Sequence, residues 1–185
     1  MVIKKIQKSL ALPNKKGQVW VETVTYTLIA FVLIGLVLSF AKPKIEETKD
    51  KILIEQSIKM LRDIDQTITE VGGETIGNKR KIEVNLKKGQ LEISPEKDTL
   101  VFELESKFLY SEPNQTYYEG DLQILTIEKG KYNKVTIIMN YSEEYEITYK
   151  NGEDKKIITK ASNPYNFFIS NKGGDTLTQI DIEVE

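Results

Sequence analysis

The pattern of apolar and polar positions divides the N-terminal half of the chain into a charge-free stretch and an amphipathic stretch. Residues 23–41 contain no charged side chain over 19 positions, and at about 1.5 Å per residue such a helix nearly covers a hydrocarbon core of roughly 30 Å. Beyond Pro43 the apolar positions recur mostly at steps of three and four, which predicts an amphipathic continuation of the helix. These positions are Ile45, Ile54, Ile58, Leu61, Ile64, Ile68 and Val71.

Pro43 and the pair Gly72-Gly73 punctuate this helical pattern. Proline lacks a backbone N–H donor, so we expect a kink or a brief interruption near Pro43. The two glycines are typical of a helix C-terminus, because glycine accepts the left-handed conformation that often ends a helix.

From Lys79 the hydrophobic period changes from 3.6 to two, which predicts β-strands. Residues 81–86 and 91–93 flank Lys88-Gly89 and predict a hairpin. The Asn151-Gly152 pair is the strongest hairpin signal, because a type I′ turn needs positive φ at both central residues. Further strands are predicted at 99–104, 122–128, 134–139, 145–149, 155–159, 165–170 and 176–184.

The pattern as a whole predicts an α+β fold. A long N-terminal hydrophobic helix, kinked near Pro43, is followed by an antiparallel β-sandwich-like head domain. The predicted divisions are a basic segment at 1–17, a transmembrane and amphipathic helix at 18–71, and a β-rich head at 79–185. A head of that length can enclose one hydrophobic core.

Charge predicts the orientation of the helix. Residues 1–17 carry five lysines and no acid, whereas the lysines just beyond the span are interleaved with acids. Positive residues favour the cytoplasmic side, so the N-terminus is predicted to be cytoplasmic and the head to lie outside. Without residues 1–17 the net charge falls from −2 to −7, which does not favour a nucleic-acid partner.

Glu22 is the one acid near the start of the apolar stretch. A water-facing acid there can simply mark the edge of the bilayer. The small residue Gly17 precedes the apolar core, whereas a secretory signal peptide places its small residues after it. If the chain is cut between Gly17 and Gln18, Glu22 becomes the fifth residue and can pair with the amine of a neighbouring subunit.

The run from Lys15 to Gln18, followed by Glu22 and the apolar stretch, resembles the class III leader of archaeal type IV pilins, in the group with K-G-Q cleavage sites. The resemblance implies that a prepilin peptidase cuts between Gly17 and Gln18 and that Lys15 and Lys16 are its recognition residues. It assigns Glu22 to assembly.

The same resemblance implies a location and partners. The helix starts in the cell membrane as a single span and then bundles with other pilin subunits into a helical homo-oligomer, an extracellular surface filament. Type IV assembly ATPase and platform machinery would drive this step. Trp20 departs from the small residue that many relatives carry two places before the acid, which favours a minor or specialised subunit.

Two alternatives remain open. The chain can be an uncleaved single-pass membrane protein whose extracellular β domain binds a partner. It can also be a minor pseudopilin of a secretion or uptake machine, which would form only a short stalk. An intact leader would favour the first alternative, and low subunit abundance the second.

Catalytic chemistry has little support in the composition. The chain contains no His and no Cys, which excludes disulfides, thiolate metal sites and the commonest general base. The adjacent acids Glu143-Glu144 and Glu153-Asp154 are predicted to be solvated, because neighbouring residues in a strand point to opposite faces. We therefore predict no enzymatic activity, no catalytic residue, no metal site and no cofactor.

Two surface features of the head complete the predictions. Asn114 and Asn140 each begin an N-glycosylation sequon, which is admissible on an exported domain. Most tyrosines of the head are predicted to pack on strands. An exposed pair, Tyr117 and Tyr118, could serve adhesion.

Overall fold

The structure is a computed structural model that describes residues 15–185, with side chains from residue 19 onward. Residues 1–14 of the predicted leader lie outside the described residues. The chain divides into two compact units, one ending at Lys44 and the other spanning Ile45–Glu185. The described residues of the first unit are helical, and the second unit contains the rest of that helix and all the strands that the structure describes.

The N-terminal element is one α-helix, α1, Lys15–Gly72. Its helical assignment continues through Pro43, so the predicted brief interruption is absent. A proline inside a helix removes one backbone hydrogen bond, and the regular pattern on both sides maintains the helix here. The predicted stop at Gly72-Gly73 is confirmed, and a kink stays a prediction.

Ten strands follow the helix, and a short 3₁₀ turn, Pro95–Lys97, separates two of them. The strands are β1 Lys79–Val84, β2 Gln90–Ser94, β3 Thr99–Ser106, β4 Thr116–Glu119, β5 Leu122–Lys129, β6 Tyr132–Asn140, β7 Tyr145–Tyr149, β8 Lys156–Thr159, β9 Tyr165–Gly173 and β10 Thr178–Val184. The alternating pattern located most of these strands. It missed β4, which has exposed side chains on both faces and therefore no alternation.

The strands form two sheets. The smaller has the order β1-β9-β10-β7 and the larger β4-β5-β6-β3-β2-β8. Neighbours are antiparallel with one exception, because β10 and β7 run parallel. The predicted α+β class with antiparallel-rich sheets after a long apolar helix is confirmed.

One hydrophobic core joins the second part of α1 to both sheets. From the helix it takes Ile54, Ile58, Leu61, Ile64, Ile68 and Val71, and from the sheets it takes large side chains such as Phe102 and Phe167. These helix residues are the predicted apolar face. Ile45 was predicted to continue that face, but it is 52% exposed, because the buried part of the helix begins only at Asp50 and Ile54.

The predicted hairpin at Lys88-Gly89 is wrong. β1 pairs with β9, and β2 pairs with β3 and β8, so the strands on either side of Lys88-Gly89 belong to different sheets. The turn is real, since Gly89 has φ +85°. It carries the chain from one sheet to the other instead of returning it beside itself.

The Asn151-Gly152 signal marks a tight turn, but not a hairpin between strands. Positive φ occurs at Lys150 and Asn151, one residue earlier than predicted. Tyr149 and Gly152 exchange both backbone hydrogen bonds at 3.0 Å, as in a two-residue I′ loop. The pairing stops there, because β7 and β8 belong to different sheets.

Buried polar side chains fix the helix to the strands at both ends of the core. Asp50 is 8% exposed, and its carboxylate accepts from the Lys88 ammonium at 2.6 Å and from the Lys107 backbone N–H at 2.7 Å. At the other end Asn171 donates from its side-chain amide to the backbone carbonyls of Val71, Gly72 and Glu74. It therefore adds a partner to carbonyls at the end of the helix and in the turn that follows, where bonding within the helix stops.

Replacing Gly89 with alanine is expected to lower the free energy of unfolding by about 2 to 3 kcal/mol. A Cβ there would lie 2.4 Å from the carbonyl oxygen of Glu103, and the positive φ of Gly89 adds strain. Gly120→Ala is a matched control, because Gly120 also has positive φ but open space around the added Cβ. Urea unfolding of the two variants should separate the clash from the backbone strain, and equal losses would contradict the prediction.

Candidate functional site

The candidate functional site is the apolar first part of α1. Fifteen large apolar side chains between Val19 and Phe40 are 46% to 73% exposed. Full burial of one such side chain contributes a stabilising free energy of about 1.5 to 3 kcal/mol. Partial burial of all fifteen would therefore contribute on the order of 15 kcal/mol. In the described part of the chain, the helix Val19–Gly72 is the one element long and apolar enough to cross a membrane, judged by length and composition.

The Thr and Ser hydroxyl groups of this stretch are satisfied by the helix itself. Thr23, Thr25 and Thr27 each donate to the carbonyl four residues earlier, at 2.8 to 2.9 Å. Ser39 donates to the carbonyl of Leu36 at 2.7 Å. A hydroxyl bonded in this way does not depend on water. The stretch can therefore enter an apolar environment without burying an unpaired Thr or Ser hydroxyl.

The predicted cleavage and assembly residues lie at the start of α1. The backbone of Lys15, Lys16, Gly17 and Gln18 is helical, and their side chains lie outside the described residues. The predicted scissile bond therefore lies within the helical backbone that the structure describes. Glu22 is exposed one turn further along.

The two predicted sequons lie at exposed positions of the head and are not adjacent. Asn114 has φ +59° in the turn before β4, where its backbone N–H donates to the Thr126 carbonyl at 2.8 Å. Asn140 ends β6, and its side-chain oxygen accepts from the Ser142 backbone N–H at 3.1 Å. The structure therefore places the two sequon asparagines at separate, exposed positions.

The predicted exposed tyrosine pair lies on β4. Tyr117 is 50% exposed and Tyr118 is 64% exposed. This strand is tied to α1, because Glu119 receives a hydrogen bond from Arg62 at 2.6 Å and from the Tyr110 hydroxyl at 3.2 Å. Burial, followed by the nearby Glu119 charge, raises the pKa of Tyr110 to about 12. Tyr110 therefore remains a hydrogen-bond donor at physiological pH.

Two carboxylates escaped the sequence predictions. Asp181 is fully buried, and one of its oxygens accepts from the Thr148 hydroxyl at 2.9 Å and from the Asn151 backbone N–H at 2.6 Å. Its other oxygen lies 3.9 Å from the Lys172 ammonium. The carboxylate thereby fixes the turn after β7 to the middle of β10, which is a structural role.

The second carboxylate, Asp65 on α1, accepts a hydrogen bond from the buried Tyr141 hydroxyl at 3.1 Å. Burial raises the pKa of the Asp65 carboxyl above its ordinary value of 3.8, with Asp121 and Glu144 adding to the effect and the Tyr141 hydrogen bond opposing it. Burial and Asp65 also raise the pKa of Tyr141. The raised pKa of Tyr141 keeps its hydroxyl protonated as a donor, so the hydrogen bond ties the helix to the head.

Asp65→Asn is expected to raise the melting temperature at pH 7 and to have no effect near pH 3. The pKa of the Asp65 carboxyl is raised in the folded state, so the protein loses folding stability as pH rises from 3.8 through that raised pKa. The asparagine keeps an acceptor for Tyr141 and removes the buried charge. Thermal melts at both pH values check this, with the exposed Asp154→Asn as control, and a lower melting temperature at pH 7 would contradict it.

The described residues 19–185 contain no cluster of metal-binding side chains. No group of three or more Asp or Glu side chains is placed to hold a metal ion within that part of the chain. Glu143, Glu144, Glu153 and Asp154 are all exposed, as predicted for solvated charges.

Comparison of the chain with protein-family models, with curated proteins and with solved structures gave no match. The functional interpretation therefore depends on the residues themselves.

Proposed function

We propose that this chain is a pilin-like structural subunit of an archaeal type IV pilus-like surface filament. A prepilin peptidase removes residues 1–17, the helix from Gln18 onward assembles with copies of itself, and the β domain is the outward head. The helix bends near Pro43, and the two sheets pack as a β-sandwich-like head.

The observation that carries this proposal is the exposed apolar stretch of α1 between Val19 and Phe40. Such a surface is costly in water, and its internally bonded hydroxyls suit an apolar environment. A bilayer covers it before assembly. Once the helix leaves the bilayer, bundling with identical helices covers it again.

The proposed pathway assigns a location and a partner to each stage. Before assembly the chain crosses the cell membrane once, with its N-terminus in the cytoplasm, where Lys15 and Lys16 meet the peptidase. The assembly ATPase and platform then move the processed subunit into the filament. Glu22 pairs there with the N-terminal amine of a neighbouring copy, since a carboxylate near the apolar core needs a partner.

The first residue of the protein isolated from its native cell surface tests this proposal. We expect the mature chain to begin at Gln18, and Gly17→Leu is expected to abolish processing. Gly35→Leu is a matched control, because Gly35 belongs to the same apolar stretch and a side chain there meets open space. It should be processed normally.

A mature chain that keeps residues before Gln18 would contradict the proposal. It would leave an uncleaved membrane-anchored protein whose extracellular β domain binds a partner. Electron microscopy of processed material separates long filaments from the short stalk of a pseudopilin.

A further inference from the structure

The six-stranded sheet has two edge strands of opposite charge. β4 forms one edge and β8 the other. Around β4, residues 108–128 contain four acids and no basic residue. Residues 155–160, which include β8, contain three lysines and no acid, although Glu153 and Asp154 precede them in the loop.

Each of these edges also exposes apolar surface at its centre. On β4, Tyr117 and Tyr118 are 50% and 64% exposed, and on β8 Ile157 is 43% exposed. In the described chain β4 pairs only with β5, and β8 only with β2. On the β8 edge the Tyr165 hydroxyl donates to the carbonyl of Thr159, the last residue of the strand. Residues 156–158 of this edge are left for other contacts.

The β4 edge is held in place before any contact forms. Glu119 is bound by Arg62 and by the Tyr110 hydroxyl, both anchored beside the helix. Its charge is therefore partly balanced, while Glu112 and Asp121 remain exposed on either side of the strand. A fixed edge loses little conformational freedom on binding.

The charges select one combination of edges. An open edge strand can pair with another chain, and charged residues normally prevent this. Two β4 edges would bring acids together, and two β8 edges would bring lysines together. Only a β4 edge against a β8 edge brings opposite charges together, with tyrosine and isoleucine side chains between them.

We propose that the β4 edge of one copy docks on the β8 edge of a second copy. The two edges lie on opposite sides of one sheet, so the contact is heterologous and can repeat from copy to copy without closing. This inference rests on the proposed function, and it adds a contact between heads to the bundling of helices.

Engineered disulfides test the contact in the full-length chain, which contains no cysteine. The double variants Tyr117→Cys/Ile157→Cys and Tyr118→Cys/Ile157→Cys, expressed in the native cell, cover both faces of β4 because successive strand residues point to opposite faces. Mild oxidation should give a ladder of linked copies for one of them. Each single variant should stay unlinked.

Single cysteines at positions 31–34 of the helix report on bundling separately, because four successive helix positions present every side of α1. Helix cross-links without a head ladder would overturn the head contact and leave the proposed function standing. A head ladder without helix cross-links would support the contact and overturn helix bundling. Absence of both, or dimers from a single Tyr117→Cys or Tyr118→Cys variant, would overturn the head contact.

Charge reversal provides an independent check on the same ladder. Lys155→Glu/Lys156→Glu and Glu112→Lys/Asp121→Lys should each reduce it by about tenfold or more, because like charges then face each other. Combining all four changes should restore it. Lys97→Glu, an exposed reversal in the 3₁₀ turn, is the matched control and should leave the ladder unchanged. Failure of the combined variant to recover would overturn the charge pairing.

Discussion

Asn171→Ala is expected to lower the free energy of unfolding of the head by about 3 to 5 kcal/mol, because it removes the side-chain partner of backbone groups at Gly72, Glu74 and Gly173. Asn171 is 2% exposed. Its amide nitrogen donates to the carbonyls of Val71 and Glu74 at 3.1 Å and of Gly72 at 3.3 Å. Its side-chain oxygen accepts from the Gly173 backbone N–H at 2.8 Å.

The substitution also removes a tie between distant segments. The Asn171 side chain joins the helix end to β9, whereas the backbone bonds of residue 171 with Gly77 and Asn78 remain in the variant. Urea unfolding of the detergent-solubilised chain, followed by circular dichroism, measures the loss. Asn85→Ala is the matched control, because Asn85 is exposed. It should change stability by less than about 0.5 kcal/mol, and a similarly small loss at Asn171 would show that the cap is dispensable.

The elements of the fold could be predicted because their signals are local. The run of Ile54, Ile58 and Leu61 identifies a helix face by spacing alone. Alternation in segments such as Tyr145–Tyr149 identifies a strand in the same way. The class of fold follows from the order of such elements.

The pairing of strands could not be predicted, because it depends on distant residues. Residues 81–86 and 91–93 are close in sequence and joined by a turn, which favoured a hairpin. β1 instead pairs with β9, where Lys79 stands opposite Ser170. Burying the apolar sides of both sheets against α1 stabilises the fold more than a hairpin with a short connection would. No local pattern encodes that choice.

The polar ties escaped prediction for the same reason. Asp65 and Tyr141 are 76 positions apart, and Asn171 is 100 positions from Val71. Each contact uses one polar side chain without a repeating pattern around it. For Asn171 the sequence signal is an Asn in a strand, since Asn is uncommon in strands, and Asp65 on the helix has no such signal.

The apolar first part of α1 differs from these polar contacts. Its apolar composition is visible in the sequence, and the structure adds that these side chains are exposed while their neighbouring hydroxyls are bonded internally. The second part of the same helix has an apolar face that is buried in the core. One continuous helix thus has one part satisfied within the molecule and one part that is not.

Leu33→Asp is therefore expected to weaken membrane insertion and to abolish filament assembly. Leu33 is 57% exposed, and in a water-soluble protein an exposed leucine tolerates aspartate. At the centre of a membrane span the same change costs about 2.5 to 3.5 kcal/mol. In a bundle of identical helices each copy would bring an unpaired charge into an apolar core.

Membrane fractionation and electron microscopy of surface material measure the two effects. Leu33→Phe should retain both insertion and filaments, because it keeps the position apolar. Leu109→Asp is the control for an exposed leucine of the head, 41% exposed, and should also assemble. Normal insertion and assembly of Leu33→Asp would mean that the exposed helix faces water, and neither a membrane span nor a helix bundle would then explain its composition.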